Sequence, residues 1–210
     1  MKRATVVCAL ALVACVKDKD PPKAADAGAP PAVVAAPEPS PPTVTAAVGT
    51  PGQTRAAVYT RLEKDGAGTC ANPGTVLAFG DFQDEEKPKS VAQGESVDGK
   101  PVSIACKVAP NGPGFAIEAK LSLPGVGELV VTSAVDGEGR SRAANVALSR
   151  PSDGTWTSNM CELEPSMLRS GGVKAGHYVA SIKCREVVNR TARQAAPMAG
   201  TLLLDGCALK

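Results

Sequence analysis

Phe115-Ala-Ile-Glu-Ala-Lys-Leu-Ser-Leu123 sets polar Glu118, Lys120 and Ser122 alternately between apolar Ile117, Ala119, Leu121 and Leu123. A period of two belongs to a β-strand with one buried and one wet face, and a helical period of 3.6 does not fit it. Turn formers stand on both sides, Pro110-Asn-Gly-Pro-Gly114 before the run and Pro124-Gly125 after it. The same succession of short alternating or β-branched runs between Gly, Pro, Asn and Asp fills residues 54–210. It predicts strands at 76–82, 101–108, 114–122, 128–135, 143–149, 155–163, 177–188 and 200–209. Asp136-Gly-Glu-Gly139, Asp153-Gly154 and Gly171-Gly172 mark further reversals, and the two Asp-Gly pairs favour tight hairpins with positive φ. Residues 55–64 have mixed periodicity and fit either a short helix or a first strand.

About eight strands at short intervals, with no long helical pattern, predict an all-β domain: an antiparallel β-sandwich, with a closed barrel as the alternative. Residues 54–210 are enough for a sizeable core, but its side chains are mostly small and aromatics make up only 3% of the chain. Disulfides would offset that light packing. Upstream, residues 16–53 hold nine Ala and nine Pro and no aromatic, a composition that buries too little apolar surface to order itself. The expectation is a disordered, polyproline-leaning tether, on the order of 120 Å if fully extended and about 35 Å as a flexible coil. The charged run 17–20 reads as its solvated base.

At the start of the chain, Lys2 and Arg3 precede an apolar stretch, 4–14, interrupted only by Thr5 and ending in Leu12-Val-Ala-Cys15. The stretch is too short to cross a hydrocarbon core of ~30 Å as a helix, so it reads as a targeting segment. It resembles the bacterial lipoprotein signal, or lipobox, family. That resemblance implies residues 1–14 as signal peptide, cleavage between Ala14 and Cys15, and a diacylglyceryl group on the Cys15 sulfur. Residues 15–53 are then lipidated cysteine plus linker. Ala14 is small enough for a peptidase cleft, and the Cys15 thiolate is a soft nucleophile for alkylation. Acyl chains on Cys15 make the membrane the implied partner, since two lipid signals suffice for stable anchoring. Val16 stands where Asp signals inner-membrane retention in the best-known sorting systems, so the pattern places the protein in the bacterial cell envelope and favours the outer membrane.

Charge and composition narrow the classes of function. The chain has 23 Lys+Arg against 21 Asp+Glu, and loss of Lys2 and Arg3 with the leader balances them. A neutral, unclustered surface argues against nucleic acid, which needs a basic footprint, and against a polybasic membrane helix. Trp156 is the only tryptophan, which leaves few stacking platforms for sugars or single strands. His177 is the only histidine, so a His-rich metal site is ruled out and any Ser-His or Cys-His machine must use it. No G-x-S-x-G serine or catalytic cysteine motif accompanies it. Gly49-Thr-Pro-Gly-Gln-Thr54 lacks the lysine and spacing of a phosphate loop. Asn189-Arg-Thr191 matches a glycosylation acceptor, an accidental match behind a bacterial leader. No metal site and no cofactor are expected.

Of seven cysteines, Cys8 leaves with the leader and Cys15 takes lipid, so Cys70, Cys106, Cys161, Cys184 and Cys207 remain. Their wide spacing and the absence of C-x-x-C point to structural disulfides in an oxidising compartment. Cys161 to Cys184 and Cys184 to Cys207 are equally separated, and Cys184 can serve only one. Gly171-Gly172 supplies a definite reversal for the first, so the preferred pairs are Cys161 with Cys184 and Cys106 with Cys207, leaving Cys70 unpaired. The acidic loop Asp81, Asp84, Glu85, Glu86 suits a cation by type, but it lacks EF-hand spacing and Lys87 and Lys89 follow, which favours a solvated loop. Glu118, Glu128, Asp136, Glu162 and Glu164 are the carboxylates a glycoside hydrolase could draw on.

Residues 161–207, with the strands Gly176-His-Tyr-Val-Ala-Ser-Ile-Lys-Cys184 and Gly200-Thr-Leu-Leu-Leu-Asp-Gly-Cys207, are similar to uncharacterised Cys-containing lipoprotein domains of Gram-negative bacteria. That family brings no known activity or site residues. The sequence therefore predicts a tethered envelope lipoprotein whose β domain is a binding or structural module, with an envelope protein or the cell wall as its partner and no catalytic residue assigned. An envelope hydrolase using carboxylates or His177 is the alternative.

Overall fold

The computed structural model describes residues 54–64, 70, 72–84, 88–166 and 172–210. The leader, Ala14, Cys15 and the tether lie outside the described residues, as do Glu85, Glu86, Lys87 and Gly171.

The described chain forms thirteen strands and no helix. They are β1 (Arg55–Leu62), β2 (Gly74–Phe79), β3 (Val91–Ala92), β4 (Ser96–Val97), β5 (Lys100–Pro101), β6 (Ser103–Asn111) and β7 (Gly114–Leu123). After them come β8 (Gly127–Val135), β9 (Ser141–Arg150), β10 (Gly154–Pro165), β11 (Gly172–Lys174), β12 (His177–Asn189) and β13 (Gln194–Asp205). Nine of these run in one antiparallel sheet, in the order β2-β1-β13-β12-β10-β9-β8-β7-β6; β3 adds to β1 and β11 to β12, while β4 and β5 form a separate ribbon. The all-β antiparallel fold is the expected one. Its two facing layers are a single sheet curled on itself, and one core cluster runs through all nine long strands.

Alternation decides which residues enter that core. In β7, Ile117, Ala119, Leu121 and Leu123 are buried while Glu118 and Ser122 are half-buried and Lys120 is exposed. Trp156, Tyr178, Leu129, Leu148, Leu163, Ile182 and Leu202 are fully buried from the facing strands, each worth about 1.5–3 kcal/mol of transfer free energy. Gly127 lets the two layers touch: a Cβ there would stand 2.6 Å from the Val76 carbonyl oxygen and 2.9 Å from that of Ser149. The backbone of β2 rests there on β8 and β9.

Three local expectations are corrected. The strand expected at 76–82 ends at Phe79, because the chain turns at Gly80 and closes a small loop through paired backbone bonds of Asp81 with Lys89. The reversal at Asp136-Gly137 is not a tight hairpin; positive φ falls on Gly139, and the Asp136 carboxylate accepts the backbone N–H groups of Glu138 and Arg140 at 2.9 and 2.8 Å. The last strand begins at Gln194 rather than 200, and Pro197 sits within it. Pro197 has no N–H to donate. Opposite it the register slips between Cys184 and Val187, so Arg185 and Glu186 bulge. Residues 55–62 are a strand. Asp98-Gly99, with φ of 51° and 75°, makes a two-residue hairpin between β4 and β5.

The sheet ends at β6, and its outward edge is covered piece by piece. The Val102 amide donates to Glu95 O, and its carbonyl accepts from the Gly94 amide, both at 2.9 Å. The Ile104 amide donates to the Gln93 side chain. Beyond Asp205 the chain turns at Gly206, with φ of 63°, and crosses to β6. There Ala208 donates to Cys106 O at 3.1 Å and accepts from the Val108 amide at 3.0 Å. The Val108 carbonyl takes the Gly176 amide at 2.9 Å, and Pro110 has no N–H to leave unpaired. Edges closed this way resist strand-to-strand aggregation.

Candidate functional site

The cysteines occupy three positions. Cys161 on β10 is bonded to Cys184 on β12, directly across a strand pair whose register runs from Thr157↔Val188 to Pro165↔Ala180. Cys106 on β6 is bonded to Cys207, joining the edge strand to the segment that follows β13. Cys70 is a free thiol and buried.

The candidate catalytic groups do not converge. Glu118 lies 3.8 Å from Lys107, Glu128 3.1 Å from Lys120, Glu162 3.8 Å from Arg185 and Glu164 3.4 Å from Lys183. These are cross-strand ion pairs on the outer faces of the sheet, of the kind worth under about 1 kcal/mol each. Asp136 is a turn residue, its carboxyl held below the ordinary range chiefly by the Arg140 amide. His177 stands at the start of β12 with Nδ1 3.1 Å from an Asp205 oxygen. An open groove between the ends of β1 and β2 contains Glu63, and another between the β7–β8 and β9–β10 turns contains Glu128. Among the described residues each holds one carboxylate and no histidine. A glycosidase needs two acids facing each other across a cleft.

The acidic loop has a packing role. Phe82 lies on Ala57, Val179 and Leu203, a small apolar cluster on the outer face of β1, β12 and β13. Asp81 accepts the Gln83 amide at 2.8 Å, closing a local turn. Among the described residues no group of three His, Cys, Asp or Glu could hold a metal ion. Trp156 is fully buried and offers no stacking face. Asn189 is buried as well: its amide donates to Asp153 O and its Oδ1 accepts the Ala192 amide at 2.9 Å. A glycan has no access to it.

The densest polar constellation is one that composition and spacing did not reveal. At the β9–β10 turn the Arg150 guanidinium donates to both Asp153 oxygens at 2.5 Å and to Asn72 O at 2.6 Å. Asp153 also accepts from Ser152 Oγ at 2.6 Å and from the Trp156 indole N–H at 3.2 Å. The Arg150 hydrogen bonds hold the Asp153 carboxyl below its ordinary pKa, and Asp153 raises that of Arg150. A fork of this geometry positions backbone and indole and leaves the acid no proton to trade at neutral pH. On the opposite layer, the Tyr178 hydroxyl donates to Gly139 O at 2.8 Å, and burial pushes its pKa up. Both are struts between layers. The i to i+3 spacing of Arg150 and Asp153 across a Pro-Ser turn was the available signal, but the Asn72 and Asn189 contacts come from distant parts of the chain, the segment before β2 and the end of β12.

No family model, curated protein or solved structure matches this chain.

Proposed function

We propose that this chain is a bacterial envelope lipoprotein, anchored through acyl groups on Cys15, whose β domain acts as a binding or structural module. The observation that carries the reading is Leu12-Val-Ala-Cys15 at the end of a short apolar run behind Lys2 and Arg3. Val16 favours the outer membrane, and the Ala/Pro-rich linker provides reach from the lipid surface. Two disulfides in the described domain fit an oxidising compartment. A module role is supported by the outer faces, where Glu118, Glu128, Glu162 and Glu164 each meet a cation, and by the two grooves, each with one carboxylate among the described residues. An envelope protein or the cell wall is the proposed partner.

Replacing Cys15 by Ala tests the anchor. Fractionation of cells should move the protein from the membrane to the soluble fraction and abolish lipid labelling; membrane association unchanged by the substitution sinks the reading. In-cell cross-linking of the full lipoprotein against a control of residues 1–53 tests the module: a partner found only with the full chain supports it, and none points to a passive role for the domain.

A further inference from the structure

The two disulfides sit in different mechanical situations. Cys161 and Cys184 join strands that also pair with each other on both sides of the bond, at Thr157↔Val188 and from Glu162↔Lys183 to Pro165↔Ala180. Cys106 and Cys207 join β6 to a segment that belongs to no strand and touches β6 through the single bridge Lys107↔Ala208. Within residues 206–210 the only buried side chain is Cys207; Ala208 is half-buried, Leu209 is 53% exposed and Lys210 is exposed. Without its sulfur the segment keeps three bonds between backbone groups, Ala208 to Cys106 O, Val108 to Ala208 O, and Cys207 to Gly176 O at 3.0 Å, and one from the exposed Thr54 hydroxyl to Gly206 O at 3.2 Å. Such bonds contribute about 0.5–1.5 kcal/mol each, against an ordering cost of about 1–2 kcal/mol for the backbone of each of these residues.

We propose that Cys106–Cys207 is a redox-operated latch. Oxidised, it holds residues 206–210 as a substitute strand on the β6 edge; reduced, it lets the segment go and leaves Cys106 O and the Val108 amide as open strand edge. The reductant is a dithiol. Its thiolate attacks Cys207 Sγ, forming a mixed disulfide and expelling the Cys106 thiolate, which takes up a proton. The second thiol of the reductant, deprotonated, then displaces the Cys207 thiolate, which is protonated in turn. Two electrons pass from the dithiol, which ends as a disulfide, and two cysteine thiols result. All four cysteines are buried, so attack needs a local opening, and residues 206–210, held to β6 by one bridge, open more readily than β10 and β12, which pair on both sides of Cys161–Cys184. The Cys161–Cys184 bond therefore survives the opening of the latch.

Amide hydrogen exchange on the full chain tests this, comparing the oxidised protein with Cys106→Ser/Cys207→Ser. The amides of Val108, Ala208 and residue 207 should exchange about tenfold faster or more, with those of β7 and β8 unchanged. Unchanged rates at Val108 and Ala208 would show that the segment stays without its bond, and equal acceleration throughout β7 and β8 would show that the bond supports the whole fold; either overturns the latch. A titration of the wild-type chain with dithiothreitol, read by mass spectrometry of alkylated thiols, gives a second check. Cys106 and Cys207 should be labelled at lower dithiol concentration than Cys161 and Cys184, and the reverse order overturns the proposal.

Discussion

Asp153 accepts hydrogen bonds from Arg150, Ser152 and Trp156 with its side chain and from Asn189 with its backbone oxygen, so one turn residue ties β9, β10 and β12 together. Asp153→Ala would leave the Arg150 charge and the indole N–H short of partners in a mostly buried place, and we expect a loss of about 3 kcal/mol in denaturant unfolding. The effect has a pH signature. Hydrogen bonds from Arg150 lower the folded pKa of Asp153 below the 3.8 of an unperturbed aspartate. A depressed carboxylate stabilises the fold fully above its unfolded pKa and loses that contribution as pH falls through its folded value. The difference between wild type and variant should therefore be constant above about pH 5 and shrink as the pH falls below about 4; thermal midpoints across that range check it. Thr60 presents a second case. Its fully buried hydroxyl accepts the Leu77 amide at 3.2 Å and donates to Leu77 O at 3.3 Å, filling in for the ladder where β2 bulges against β1. Thr60→Val keeps the shape but orphans both backbone groups, at a cost of about 2 kcal/mol, and Thr60→Ser recovers most of it. Neither role could be read from the chain, because each depends on a partner brought in from another strand. Thr60 looks like any β-branched strand residue until the bulge in β2 is known.

Strands were legible where alternation was clean and turns were marked. Residues 115–123 have both, and β7 buries the face that their pattern indicates. Pro197 concealed the first half of β13, since a proline argues against a strand interior unless the partner yields, and β12 does so by bulging. The short strands β3, β4, β5 and β11 have too few residues for any period to declare itself. Close approach between strands is equally silent in sequence and rests on glycine. A methyl group at Gly127 would meet two carbonyl oxygens of β2 and β9, so Gly127→Ala should force β2 away from the β8 end and destabilise by about 2 kcal/mol. Faster amide exchange in β2, with β12 and β13 unaffected, would locate the damage there. Removal of Cys161–Cys184 by alanine at both positions should cost about 3 kcal/mol, the loop-closure entropy of its 23-residue separation.

For the molecule as a whole, the all-β class and antiparallel pairing followed from the sequence, whereas the count, thirteen strands against about eight, and the order of strands did not. Hairpin neighbours such as β6 to β9 come directly from short turns, but β1 lies beside β13, a contact between the two ends of the domain that no local pattern encodes. How the edge strand is covered was hidden for the same reason: the Gln93 side chain, the Gly176 turn and residues 207–208 come from three separate places in the chain. The candidate carboxylates were recognisable by type, and their distribution over outer faces was not, since an alternating strand shows which residues share a face without showing what stands across from them.

The neighbouring of β1 and β13 brings Arg55 opposite Asp205, and the Thr54 hydroxyl donates to Gly206 O at 3.2 Å. Topologically the domain is thus nearly a ring whose natural break is arbitrary. A circular permutant that joins Lys210 to Thr54 through a linker of about ten Gly and Ser residues, and begins instead at Gly99 in the exposed β4–β5 tip, should fold and form both disulfides. A protein or dye fused after Lys210 would, by the same geometry, emerge on the side where the chain arrives at residue 54.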